Sequence, residues 1–134
     1  MCSLEVENEK KKKMIDIINY NTENIFAKIL RNEMPCEKIF ENEKVLAFKD
    51  INPQAETHII VIPKEKFCSF NDFSEKASDE TIISINRSIG EIARVLSLKS
   101  GYRIICNIGV HGGQEVPHLH FHILAGQFLG KLVL

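Results

Sequence analysis

The sequence lacks an excess of charge of either sign: its 134 residues carry 17 Lys and Arg against 18 Asp and Glu, a formal net charge of −1. So balanced a chain excludes a strongly basic protein held to a nucleic acid backbone by charge, and no nucleic acid partner is expected. It also lacks any apolar run near the roughly twenty residues that a membrane-spanning helix needs, so no membrane partner is expected either. Four cysteines, Cys2, Cys36, Cys68 and Cys106, stand far apart, and none belongs to a C-x-x-C pair of the kind that serves zinc or redox chemistry. With no apolar leader at the start of the chain, this predicts reduced thiols and a cytoplasmic protein. The 44% apolar and 26% charged residues suit one ordinary globular domain.

Residues 1–21 mix charge, asparagine and the short apolar patch Met14, Ile15, Ile17 and Ile18, with the run Lys10 to Lys13 ahead of it. They read as an N-terminal extension, flexible and solvated, to a single domain over residues 22–134. Thr22 is a candidate N-cap for a short helix whose Ile25, Phe26, Ile29 and Leu30 share a face, and Pro35 terminates it. Two short apolar runs, 38–41 and 45–48, predict a β-hairpin, and His58–Ile62, stopped by Pro63, predicts a buried strand. Apolar residues at helical spacing predict one long helix from Asp79 to Leu98, with Gly101 as the C-cap signal. Strands are expected over Tyr102–Cys106 and Leu119–Leu124, divided by a glycine-containing loop. The fold class is α+β with a mostly antiparallel sheet.

The chemistry-bearing feature is His118-Leu119-His120-Phe121-His122. Alternation along a strand puts the three histidines on one face and Leu119, Phe121 and Ile123 on the other, toward the core. Three of the chain's five histidines are gathered there. Two readings follow. H-x-H on a strand chelates zinc, with His58, His111 or Asp50 as further ligands. Alternatively, one imidazole attacks phosphorus while the others manage protons and phosphate charge. The preceding loop favours the second, because Gly112 and Gly113 offer unobstructed backbone N–H groups beside the amides of Asn107 and Gln114, which can surround a phosphate.

Four segments, 25–29, 48–55, 58–64 and 112–122, together resemble the histidine triad (HIT) family, and more narrowly its nucleotide-binding branch, the purine nucleoside phosphoramidases. The resemblance spans about Thr22 to Gly126 with motifs in the family's order. It implies a HIT-like fold: a mostly antiparallel five-stranded sheet with one long and one short helix, continued across a homodimer. It implies His120 as the nucleophile that forms a nucleotidyl-histidine. His118 and His122 would orient it, bind phosphate and pass protons, with His58 as the outlying fourth member. Phe26, Ile29, Met34, Phe48 and Ile51 would form the slot for a purine base, and Asp50 would accept from the ribose hydroxyls. Asn107, Gly113, Gln114 and Glu115 would line the phosphate. No cofactor and no metal is implied. The expected substrate is a purine nucleotide joined to an amine, of AMP or GMP type; the alternatives are a dinucleoside polyphosphate or the role of a nucleotide-sensing module. Lys66, Glu115, Ala125-Gly126-Gln127 and the tail Lys131-Leu132-Val133-Leu134 depart from common family residues.

Overall fold

The computed structural model describes residues 14–132; Cys2, the Lys10–Lys13 run and the end of the tail lie outside the described residues. Among the described residues three helices and five strands follow one another as α1 (Ile25–Leu30), β1 (Lys38–Glu41), β2 (Val45–Lys49), β3 (Thr57–Pro63), α2 (Phe70–Lys76), α3 (Asp79–Val95), β4 (Arg103–Ile105) and β5 (Phe121–Ala125). The strands form one sheet in the order β1-β2-β3-β5-β4, antiparallel at every junction. This is the expected α+β architecture.

The sheet has two buried faces, and alternation along each strand assigns residues to them. Val45 and Ala47 of β2, Ile59 and Val61 of β3, and Phe121 and Ile123 of β5 join Leu119 and the apolar stripe of α3, Ile85, Ile89 and Ile92, in the larger core. On the opposite face Leu46, Phe48, Ile60 and Ile62 meet Phe26 and Ile29 of α1. Fully burying one such side chain stabilises by about 1.5–3 kcal/mol, so the pattern fixes which way each strand faces. His58, His118, His120 and His122 all fall on the α1 face.

Several local expectations are corrected. Asn24, not Thr22, caps α1: its side chain accepts the Ala27 N–H at 2.9 Å. The helix ends well before Pro35, because Asn32 adopts a left-handed φ of 61° and the Glu33 N–H returns to the Lys28 carbonyl at 2.9 Å. In α3, Ser78 is the N-cap, and the helix stops at Val95 because Ser97 takes the left-handed position (φ 56°), sending the Leu98 N–H to the Ala93 carbonyl. Gly101 is therefore a loop residue beyond the cap. The second short helix, α2, was not expected. Ser69 and Asp72 form its capping box, in which the Asp72 carboxylate also accepts the Cys68 N–H. Among the described residues no helix is long and apolar enough to cross a membrane.

Candidate active site

The histidine row is not wholly a strand. β5 begins at Phe121, which pairs with Val61, whereas the Leu119 N–H turns to the Phe67 carbonyl at 2.8 Å. His118 and His120 thus stand in extended chain just ahead of the sheet ladder, with their alternation intact, and His122 lies within it opposite Ile60. His58, opposite Leu124, is the diagonal neighbour of His122 on the same face.

Hydrogen-bond partners fix the tautomer of each ring, because a carbonyl can only accept and a backbone N–H can only donate. His118 places Nε2 2.9 Å from the Pro63 carbonyl, so Nε2 carries the proton; its Nδ1 accepts from the Tyr20 hydroxyl at 2.6 Å. His120 places Nδ1 2.7 Å from the His118 carbonyl, so that nitrogen is the donor and the lone pair is on Nε2. No buried polar side-chain atom among the described residues lacks a partner, so Nε2 of His120 is the nitrogen that faces outward. The Gln54 N–H donates to His58 Nδ1 at 3.0 Å, which leaves the His58 proton on Nε2, 2.8 Å from His122 Nδ1 and 3.3 Å from an Asp50 oxygen. His122 accepts at Nδ1 and carries its own proton on Nε2. A lone pair on His120 and an N–H on His122 therefore stand on adjacent rings, 5.1 Å between centroids.

Burial keeps all four rings neutral. It pushes His118 and His122 down to about 4, the latter helped by the neighbouring His120 and His58. Burial also lowers His120, against its bond to His118 and the charges of Asp50 and Glu115, and lowers His58 against Asp50. A neutral imidazole is the form that can attack.

Phe26, Ile29 and Phe48 come together on the α1 face of the sheet, with Phe26 edge-on to both Phe48 and His120 at centroid distances of 5.6 and 4.9 Å. Met34 and Ile51 are on exposed stretches after α1 and β2. Asp50 sends one carboxylate oxygen to the Asn52 N–H at 2.8 Å and the other toward His58. Asn107 is half-buried at the head of the loop and Glu115 is exposed. The Gln114 side chain is an internal staple. Its Nε2 donates to the Cys68 and Val116 carbonyls at 2.7 and 3.0 Å, and its Oε1 accepts the Gly109 N–H at 3.0 Å. The Gly113 N–H is likewise turned inward, to the Val110 carbonyl at 3.2 Å. Gly112 is required on steric grounds: a Cβ there would lie 2.4 Å from the Ile108 carbonyl oxygen, while Gly113 has open space but a φ of +77°. Both ring nitrogens of His118 are held by protein, Nε2 by the Pro63 carbonyl and Nδ1 by the Tyr20 hydroxyl.

Asp50, His58 and His122 are the one cluster among the described residues whose ligand atoms lie close enough for a metal; His111 is not in it. The 2.8 Å between His58 Nε2 and His122 Nδ1 is a hydrogen-bond distance. Two imidazoles on one tetrahedral zinc, each about 2.05 Å from it, would stand roughly 3.3 Å apart. The geometry fits a proton between these rings.

Sequence reasoning missed Tyr20, Gln54 and the Pro63 carbonyl. Each acts through a backbone group or across a long separation, and no local pattern marks them.

An antiparallel five-stranded sheet with a histidine row leading into its inner strand β5 and an apolar cluster on the same face defines a histidine triad protein. Residues 31–129 match the family model described as HIT domain, and the chain belongs to that family. Its class is that of the HIT family hydrolases. A HIT-like protein of Azospirillum brasilense is 50% identical over 115 residues, covering 85% of this chain and 94% of the relative. A purine nucleoside phosphoramidase of Escherichia coli is 40% identical over 113 residues, covering 83% and 93%. Among solved structures, a HIT family hydrolase from Clostridium thermocellum superposes with a TM-score of 0.78 at 36% identity, over 85% of this chain and 99% of that one. A histidine triad protein from Clostridium difficile gives 0.75 at 41%, over 86% and 100%.

Proposed function

We propose that this protein hydrolyses purine nucleoside phosphoramidates of the AMP or GMP type through a nucleotidyl-histidine intermediate. The observation that carries the reading is the committed tautomer of His120: Nδ1–H is tied to the His118 carbonyl, and the lone pair of Nε2 is free and outward. That nitrogen attacks the α-phosphorus, the Nε2–P bond forms and the P–N bond breaks. The departing amine takes a proton by way of His122 Nε2–H. Water then resolves the intermediate; its hydroxyl goes to phosphorus and its proton replaces the one the amine removed. Phe26, Ile29 and Phe48, with Met34 and Ile51 at the rim, take the base, and Asp50 accepts from the ribose hydroxyls. Asn107, backbone groups of the loop through Glu115 and the N–H of His122 hold the phosphate without a formal positive charge. The likeness to the Escherichia coli phosphoramidase supports the choice of leaving group.

The test is His120→Ala in a panel of adenylyl amines and dinucleoside polyphosphates. Hydrolysis is expected to vanish while AMP still binds, and rapid acid-free quenching of the unmutated protein should trap an adenylyl group on His120. Turnover that survives the substitution would sink the reading. A preference for dinucleoside polyphosphates would move the substrate class, and equally poor turnover of every compound would favour the nucleotide-sensing role.

We further read the protein as a cytoplasmic homodimer. Cys36, Cys68 and Cys106 are free thiols, as a reducing compartment maintains. The outer edge of β4 is short and half-exposes Ile104, beside a groove formed by Ser97–Arg103 and Gly126–Gly130. A second copy pairing there would cover this edge. Sedimentation as a monomer at micromolar concentration would contradict it.

A further inference from the structure

The described part of the expected extension, residues 14–21, packs against the site. Asp16 accepts the Ile18 and Asn19 N–H groups at 2.8 and 2.9 Å and so turns the chain. The Ile17 side chain reaches the phosphate loop, 3.7 Å from where a Gly109 Cβ would be. Beyond it, the Asn21 carbonyl accepts from the Asn24 side chain at 2.8 Å, and Arg31 donates to the Thr22 carbonyl at 2.7 Å. Between these ties Tyr20 is half-buried, its ring edge-on to His118 at 5.6 Å and its hydroxyl on His118 Nδ1.

His118 has no exposed surface at all. With Nε2–H committed to the Pro63 carbonyl, its Nδ1 needs a donor, and the Tyr20 hydroxyl is that donor among the described residues. Removing the hydroxyl leaves a buried acceptor unpaired while the Pro63 carbonyl still demands Nε2–H, which favours turning the ring to find Nδ1 another donor. The same residue aims the nucleophile, since the His118 carbonyl accepts from His120 Nδ1 at 2.7 Å.

We propose that Tyr20 is a positioning residue for the reaction, anchoring the His118 ring at Nδ1 and, through the His118 carbonyl, holding His120 in its attacking orientation. This rests on His120 being the nucleophile. Tyr20 touches His118 and acts on the reacting atoms only through it, so its loss should lower kcat and spare nucleotide affinity.

The experiment is Tyr20→Phe in the full chain, compared with His120→Ala on an adenylyl amine. The ring and its packing stay; only the donor goes. We expect kcat to fall on the order of tenfold, the scale of a small misplacement of a reacting group. KM and the Kd for AMP should stay within about twofold, as expected for a residue outside the binding contacts. In ¹⁵N spectra of the histidine rings, His118 Nδ1 should lose its hydrogen-bonded shift in the variant. Unchanged kcat and unchanged His118 shifts, with His120→Ala inactive, would overturn the role of Tyr20 and leave the nucleophile intact. An active His120→Ala would instead overturn the nucleophile. Should the variant not fold, the unmutated chain decides: His118 found as Nδ1–H refutes the proposal, and His118 found as Nε2–H with a hydrogen-bonded Nδ1 supports it.

Discussion

Acid should loosen this protein through His118, and the size of the effect follows from its burial. The ring is fully enclosed and is held neutral down to about pH 4, chiefly by desolvation. In the unfolded chain a histidine titrates near 6.5. As pH falls through 6.5 the unfolded state binds the proton first, so folding loses stability from there downward, and the loss levels off near pH 4. At about 1.4 kcal/mol per pH unit the whole span amounts to about 3 kcal/mol, and the part between pH 7 and pH 5 to about 2 kcal/mol. The perturbation is His118→Gln, which keeps an amide N–H able to reach the Pro63 carbonyl and cannot titrate. Urea unfolding at fixed protein concentration, in half-unit steps from pH 7 to pH 5, gives the stability of both proteins. The other depressed histidines, His58, His120 and His122, remain in both, so their share cancels in the difference. The unmutated protein should lose about 2 kcal/mol more than the variant over that range. Parallel curves would show that His118 is not held neutral by the fold, and the tautomer assignment would go with it.

Gln114→Ala removes a staple with three bonds and leaves buried partners on Gly109, Cys68 and Val116. Stability should drop by about 1–3 kcal/mol in urea unfolding and KM should rise as the loop loosens. Ile123→Ala, at a side chain with no exposure between both sheet neighbours, should cost about 2–5 kcal/mol by the same measurement. Dialysis against a strong chelator should leave hydrolysis unchanged; activity that disappears and returns with zinc would assign Asp50, His58 and His122 to a metal.

The sheet, the long helix and the histidine face were legible because each is written in a short-range period. Alternation at 118–123 and three-four spacing along α3 survive whatever the rest of the chain does. Cap positions were less legible. Thr22 and Asn24 are both good N-caps, and only the geometry of the Asn21–Asn24 turn selects the second. Gly101 carries the stop signal for α3, yet Ser97 adopts the left-handed conformation first and ends the helix. The box Ser69-Phe70-Asn71-Asp72 is a cap signature in the sequence, but too few apolar residues follow it to announce a helix. Gln114 and Tyr20 were beyond reach. Their roles depend on what their polar atoms meet, and Tyr20 meets a ring 98 positions away.

Gly112 and Gly113 sit side by side for unrelated reasons, and this divides the tolerance of the loop to change. At Gly112 the obstacle is space, a carbonyl already in contact with any Cβ, and no choice of side chain avoids it. At Gly113 the obstacle is only the sign of φ, with nothing nearby to strike. Asparagine, which takes left-handed backbone at small cost, is therefore admissible at 113, whereas at 112 even alanine forces the Ile108 backbone to move. Saturation of both codons under selection for activity would separate them: a graded spectrum led by asparagine and aspartate at one position, and a single permitted residue at the other.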